Sequence, residues 1–283
     1  MTRLSGYYRP RSLEEAVKLL SQPHIRSVLL SGGALRLGSD RDPDYEAVID
    51  VQDIPELARI EIRDGVLHIG GACTLQQVVE HPRVPAMLTQ AIRRVVVPNR
   101  RNAISIAEVL EYPHELPELI AALLALDATL SFAFPETRPI KLAALGSQLP
   151  ELQLPHKGLI AAVMLPAVTP RHGWGIAHVA RTPADLAIVC AAVVVQLGAD
   201  GSVQEARLAL SGVWPEPARV ADQASNMLLG KPLDEAAIEA AVDALAGEVA
   251  PVADYRGSVA YRHEMAGVLA RRALLACRED LSN

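Results

Sequence analysis

The sequence contains few of the residues on which many binding sites depend. Among 283 residues there are two tryptophans, two phenylalanines and three cysteines, and aromatic residues make up 4% of the chain. Proteins that bind single-stranded nucleic acid stack the bases on exposed rings, so this scarcity argues against such a partner. The net charge of −6 argues equally against a surface that follows a phosphate backbone. We therefore expect no nucleic-acid partner.

The three cysteines, Cys73, Cys190 and Cys277, are far apart and form no C-x-x-C pair. Such a sparse and odd set offers no framework for structural zinc or an iron–sulfur cluster, and it is typical of a reducing compartment. Free cysteine is among the most buried residue types, so we interpret all three as core residues. We expect neither a metal nor an iron–sulfur cluster on this chain.

Long hydrophobic runs are also missing. The longest apolar run, LAIVCAAVVVQL from Leu186, is too short to span a bilayer and indicates an element of the core. The first residues, MTRLSGYYRPRSLEE, lack the apolar stretch of a signal peptide. These features predict a cytoplasmic protein with no membrane partner.

Motifs of self-sufficient catalysis are missing as well. The sequence has no H-E-x-x-H, G-x-S-x-G, G-x-G-x-x-G or Walker-type lysine loop, and its eight histidines are not paired at helical spacing. Asp40, Asp42 and Asp44 lie among arginines, without the glycine and glutamate that complete a calcium-binding loop. We expect no catalytic residue and no metal site on this chain.

The local patterns that are present predict a mixed α and β protein. SLEEAVKLL, from Ser12, and TLQQVVEH, from Thr74, are capping-box helix starts. SVLLSGG is a strand that ends in a double-glycine turn, EAVIDV is a second strand, and Asp64-Gly65 is a hairpin turn between alternating segments. This order of elements predicts a small α/β unit at the start of the chain.

The second half of the sequence continues the mixed pattern. PELIAALLALDATLSFAF predicts a buried helix followed by a strand, and ADLAIVCAAVVVQL fits either a helix or a strand. TPRHGWG, Thr169–Gly175, is the candidate domain boundary because it contains both proline and glycine. Three helical segments are predicted to close the chain: EPARVADQASNMLL, DEAAIEAAVDALAGEV and SVAYRHEMAGVLARRALLAC.

Several of these segments together resemble the FAD-binding middle (medium) subunit of the molybdenum hydroxylases, the family of aerobic carbon monoxide dehydrogenase and xanthine dehydrogenase. They occur in the family's order and span almost the whole chain, and DYRGSVAYR near the C-terminus is the most specific. The other matching pieces are YYRPRSLEEAVKLL, LLSGGA, AVIDVQDIPEL, LHIGGACTLQQV, LLALDATL and RTPADLAIV.

The resemblance implies an α+β fold and a division into two domains. Residues 1–172 would form an FAD-binding-type region of two α/β subdomains, and residues 173–283 a small antiparallel sheet with helices. It also implies partners: an iron–sulfur small subunit and a molybdopterin large subunit, from which electrons pass to FAD and then to an external acceptor. The formation of a homodimer is left as an open alternative.

The family holds the FAD pyrophosphate on two glycine-rich loops, because phosphate must approach main-chain N–H groups closely. By resemblance the first loop is SGGALR, which keeps Gly32 and Gly33, and the second is RRNAISIAEV, residues 100–109. In the second loop Ala107 and Glu108 replace the family's two glycines, and Val109 replaces its asparagine. The resemblance places vestigial cofactor-binding positions at Ser31, Gly32, Gly33, Ala34, Asn102, Ser105, Ile106, Glu118 and His178, where the family commonly has lysine at the last.

Glu108 decides the functional expectation. A carboxylate at the pyrophosphate position repels the anion, and its side chain also blocks close approach of the backbone. We expect FAD binding to be weakened or lost and the subunit to have a mainly structural role. Two alternatives stay open: a working FAD-binding electron-transfer subunit, and a stand-alone protein that uses the vacated cleft for another small ligand.

Overall fold

The structure, a computed structural model, describes residues 5–22, 24, 26–35, 45–134, 138–145, 158–182 and 185–282. The fold is α+β, as predicted, and the chain divides into two compact units. The N-terminal unit comprises Met1–Val84, Val96–Glu115 and Ala128–Pro166, and the C-terminal unit comprises Pro85–Val95, Leu116–Asp127 and Ala167–Asn283. Arg36, the three aspartates from Asp40 to Asp44 and the Pro183-Ala184 pair lie outside the described residues. The boundary between residues 172 and 173 stays a prediction.

A three-stranded parallel sheet opens the N-terminal unit, in the region where the sequence predicts a small α/β unit. It contains β1 (Gly6–Tyr8), β2 (Ser27–Leu30) and β3 (Ala47–Asp50) in the order β1-β3-β2. Helix α1 (Leu13–Leu20) connects the first two strands, and the hydroxyl of Ser12 caps it by accepting the N–H of Glu15. Because the strands are parallel, the segments that follow them meet at one edge of the sheet.

A five-stranded antiparallel sheet forms the rest of the unit, in the order β4-β5-β8-β6-β7. The predicted hairpin is confirmed, since both Asp64 and Gly65 adopt positive φ and join the first two strands. The strands are β4 (Ile60–Arg63), β5 (Val66–Gly70), β6 (Thr129–Phe134), β7 (Ile140–Lys141) and β8 (Leu159–Leu165). The helices are a 3-10 turn (Pro55–Leu57), α2 (Leu75–Glu80), α4 (Pro98–Arg101), α5 (Ile106–Glu111) and α7 (Leu142–Leu145).

The C-terminal unit is built on a four-stranded antiparallel sheet in the order β12-β11-β10-β9. The strands are β9 (His172–Val179), β10 (Val189–Leu197), β11 (Val203–Ser211) and β12 (Ala218–Val220). The helices are α3 (Ala86–Val95), α6 (Pro117–Ala125), α8 (Asp222–Asn226), α9 (Glu235–Glu248) and α10 (Val259–Ser282). Helix α6 lies against β11 and β12, so a segment from the first half of the sequence contributes to this core.

One predicted helix is only partly correct. EPARVADQASNMLL contains strand β12 and the short helix α8, because residues 218–220 pair with the edge of β11, Val220 opposite Ala209. The open question about ADLAIVCAAVVVQL is resolved as a strand, since Val189–Leu197 pairs on both sides. No helix in the described parts of the chain combines the length and the apolar character that a membrane span requires.

The segment DYRGSVAYR, residues 254–262, is mostly exposed, but its last residue is buried in the C-terminal unit. Arg262 is 3% exposed, and its guanidinium donates to the carbonyl oxygens of Ile188 (2.6 Å) and Gly212 (2.9 Å). It also pairs with the carboxylate of Asp254 at 2.5 Å, while the same carboxylate accepts the N–H of Gly257. The segment therefore ties the start of α10 to the sheet.

Candidate functional site

The first loop, defined as Ser31–Leu35, leaves the end of β2 at the carboxyl edge of the parallel sheet. Gly33 has a φ of +97°, which a residue with a side chain rarely adopts. The side-chain amide of Gln52, just after β3, donates to the carbonyl oxygen of Gly32 at 3.0 Å. Asp50 at the end of β3 accepts the hydroxyl of Tyr7 at 2.5 Å. The bond from Gln52 thus holds the first loop beside the end of β3, and the bond from Tyr7 joins β1 to β3.

The second stretch, defined as Asn102–Val109, is less loop-like than the family resemblance implied. Only its first residues form a turn, because α5 begins at Ile106. The hydroxyl of Ser105 caps that helix by accepting the N–H of Glu108 at 3.1 Å. The positions at which the family has two glycines and an asparagine therefore lie in the first turn of a helix.

The main-chain N–H groups of this helical turn bond inside the N-terminal unit. The N–H of Ile106 donates to the carbonyl oxygen of Cys73 at 2.9 Å, and that of Ala107 donates to Gly71 at 3.1 Å. The N–H of Glu108 takes the serine cap described above. These donors are directed at protein acceptors rather than at a ligand position.

The carboxylate of Glu108 lies between the two stretches. The residue is 1% exposed, and its Oε1 atom accepts the N–H of Leu35 at 2.7 Å. A Cβ atom on Gly32 would lie 2.6 Å from Glu108 Oε2 and 2.6 Å from the carbonyl oxygen of Ala103. The hydroxyl of Ser105 donates to the hydroxyl of Ser31 at 2.9 Å, and this bond also joins the second stretch to the first loop.

This arrangement can be tested against the FAD pyrophosphate that the resemblance implies. A phosphate needs open space beside Gly32 and free main-chain donors in the loop that follows. The Glu108 carboxylate fills that space and accepts the N–H of Leu35. The residues, as the structure places them, do not fit a pyrophosphate.

Two further predicted positions, Glu118 and His178, belong to the C-terminal unit. Glu118 is 1% exposed, and it accepts hydrogen bonds from the guanidinium of Arg94 at 2.5 and 3.2 Å and from the N–H of Ala187. Burial, and then the charge of Glu118, raise the pKa of the Cys190 thiol. Glu118 thus anchors the segment that leads into β10.

His178 lies on β9 and is influenced by the same ion pair. Partial burial of the ring, together with the positive charge of Arg94, lowers the pKa of His178 to about 4. The imidazole is therefore neutral near pH 7. A neutral ring offers no charge to attract a phosphate.

The remaining predicted positions have mainly structural contacts. The side-chain amide of Asn102 donates to the carbonyl oxygen of Pro98 at 3.3 Å, and Val109 is fully buried. The structure places Gly32 and Ser105 against Glu108, and Ser31 is joined to them through the hydroxyl of Ser105.

Sequence reasoning missed the contact from Glu108 to Leu35. Part of the signal was present, since residues 105–108 read SIAE and match the S-x-x-E pattern of a capping box.

The three cysteines are buried, as predicted, and burial raises the pKa of Cys73 to about 11. Where the chain is described, no three His, Cys, Asp or Glu residues are grouped as metal ligands would be.

Two family models match the chain, and together they cover most of its length. Residues 2–168 match the FAD binding domain in molybdopterin dehydrogenase, and residues 176–277 match the CO dehydrogenase flavoprotein C-terminal domain.

Two of the similar proteins are named as a medium chain and a medium subunit. The carbon monoxide dehydrogenase medium chain of Hydrogenophaga pseudoflava is 30% identical over 278 residues, which cover 95% of this chain and 96% of that protein. The nicotine 6-hydroxylase medium subunit of Paenarthrobacter nicotinovorans is 28% identical, with 95% of each chain covered. One solved structure is that of carbon monoxide dehydrogenase from Hydrogenophaga pseudoflava, in a form that lacks the Mo-pyranopterin moiety of the molybdenum cofactor. A chain of that structure superposes on this chain with a TM-score of 0.87, at 29% identity and with 99% of both chains covered.

Proposed function

Since the chain belongs to the family of FAD-binding medium subunits of molybdenum-hydroxylase-type complexes, we propose that it is such a subunit with weakened or lost FAD binding. Its role is mainly structural: it holds contacts with an iron–sulfur small subunit and a molybdopterin large subunit in the cytoplasm. The relatives' description as medium chains of carbon monoxide dehydrogenase and nicotine hydroxylase supports this assembly.

The buried carboxylate of Glu108 is the observation that carries the proposal. It lies against Gly32, where a Cβ atom would be 2.6 Å away, and it binds the N–H of Leu35. A second unit negative charge about 4 Å away would cost ~4 kcal/mol at an effective dielectric constant near 20. Micromolar affinity corresponds to about 8 kcal/mol, so repulsion of that size removes much of the binding free energy.

The direct test is the flavin content of the protein. The purified chain is incubated with excess FAD and passed through gel filtration, and the ratio of flavin absorbance to protein absorbance is measured. We expect little or no flavin to elute with the protein. One FAD per chain would contradict the proposal.

A second function is favoured by one observation. Gly32 and Gly33 of the first loop are retained, and the FAD-binding model matches residues 2–168. On this alternative the subunit binds FAD and passes electrons from the iron–sulfur partner to an external acceptor, and Glu108 must leave its buried position when FAD enters. One FAD per chain in the gel-filtration test would support this second function.

A further inference from the structure

Glu108 bonds to a loop from which it is far removed in the sequence. The N–H of Leu35 and the Oε1 atom of Glu108 are 2.7 Å apart, in buried surroundings, although the residues are separated by 73 positions. A glutamate that served only as the third residue of its own helix start would satisfy its local cap and leave Leu35 independent of it. The long-range bond therefore needs its own explanation.

The first loop has the character of an anion-binding turn. It follows a buried strand, contains two glycines and passes through a positive φ at Gly33. Successive N–H groups in such a turn form a concavity that attracts negative charge. In this chain the charge that reaches the turn belongs to the protein itself.

We propose that Glu108 is a built-in anion that holds the first loop folded without a ligand. The inference rests on the proposed function for the absence of bound FAD, and it adds how the loop keeps its conformation in that state. The carboxylate occupies the place beside Gly32 and accepts the N–H of Leu35, as an anionic ligand would.

Hydrogen bonds hold both the backbone and the side chain of Glu108 at this place. The residue lies in the first turn of α5. Its own N–H is capped by the hydroxyl of Ser105, which also donates to Ser31 in the first loop. Hydrogen bonds to an ionised acceptor are about twice as strong as neutral ones, so the bond to Leu35 constrains the loop effectively.

Amide hydrogen exchange at Leu35 tests the proposal, because it reports on this one bond. Exchange is measured by NMR for the unmodified chain and for Glu108→Gln and Glu108→Ala, relative to the amide of Val163 in the central strand β8. Glutamine keeps the shape and a neutral acceptor, so the chain still folds, whereas alanine removes the acceptor. Glu115→Ala, which removes an exposed carboxylate nearby, is the matched control.

We expect Leu35 exchange, relative to Val163, to be about 10-fold faster in Glu108→Gln and about 100-fold faster in Glu108→Ala, with little change in the control. An unchanged ratio in both Glu108 variants would overturn the proposal. This result is independent of flavin content: FAD bound to the unmodified chain would contradict the proposed function, whereas the exchange ratio of the FAD-free chain alone decides whether Glu108 holds the loop.

Discussion

His178 is a position at which the surrounding protein sets the charge of a side chain. Partial burial and the charge of Arg94 lower the pKa of His178 to about 4. Because the folded state favours the neutral ring, protonation opposes folding at this position. The stabilising contribution is complete above the unfolded pKa of about 6.5 and is lost as the pH falls toward 4.

This linkage predicts a measurable pH dependence. Replacing His178 by glutamine should reduce the loss of unfolding free energy between pH 6.5 and pH 4 by about 1 kcal/mol, a figure reduced for the solvent exposure of the ring. Urea unfolding at several pH values measures the effect. His24→Gln, at an exposed histidine, is the control, and an equal acid sensitivity of the unmodified chain and His178→Gln would contradict the prediction.

At the residue scale, the sequence predicted burial, which depends on the residue type, but it did not predict hydrogen-bond partners that are distant in the sequence. Burial of the three cysteines followed from the residue type alone. The partner of Glu108 could not be predicted, because Leu35 comes close only after the parallel sheet and α5 have assembled. A capping-box pattern indicates the helix start and directs the carboxylate back to its own cap residue, so it does not predict the bond to Leu35.

At the scale of elements, the packing of α10 on β9 depends on two glycines. A Cβ atom on Gly175 would collide with the carbonyl oxygen of Ala273, and one on Gly173 would lie 2.7 Å from the carbonyl oxygen of Cys277. Both glycines fall in the stretch that sequence reasoning took as a candidate boundary because of its glycine and proline. In the structure they lie within a strand and permit close approach of a helix.

We therefore predict opposite effects for two glycine-to-alanine substitutions. Gly175→Ala should lower the free energy of unfolding by about 1–3 kcal/mol, because the added methyl group forces α10 away from β9. Gly247→Ala, within α9 and with no atom within 4 Å of the added carbon, should raise it by about 0.5–1 kcal/mol. Urea unfolding of both variants checks this, and a Gly175→Ala protein as stable as the unmodified chain would refute the packing argument.

Elements with strong local signals were predicted correctly, whereas β12 was predicted as part of a helix and β10 was left open between helix and strand. The hairpin at Asp64-Gly65 and helix α9 have turn and capping residues that specify them locally. The apolar run in β10 has no periodicity that separates a buried strand from a buried helix, and β12 is extended because it pairs with β11. Tertiary contacts therefore determine the extended conformation of both β10 and β12.

For the whole molecule, we predict that the isolated chain has no turnover. The sequence contains no catalytic motif, and in the proposed function the substrate chemistry belongs to a partner chain. The purified protein should not reduce an artificial electron acceptor with carbon monoxide or nicotine, the substrates that the relatives' names contain. Sustained dye reduction above the rate of a heat-denatured control would contradict the assignment.

The central claim is that Glu108 and Ala107 close the pyrophosphate position, and FAD affinity measures it most directly. Flavin fluorescence quenching is titrated for the unmodified chain, for Ala107→Gly with Glu108→Gly, and for Glu115→Ala as the control. Restoring the family's glycines removes ~1–4 kcal/mol of repulsion and blockage, so the account predicts a 10- to 1000-fold gain in FAD affinity for the double variant only. Equal affinities for the unmodified chain and the double variant, or tight stoichiometric binding by the unmodified chain, would contradict it.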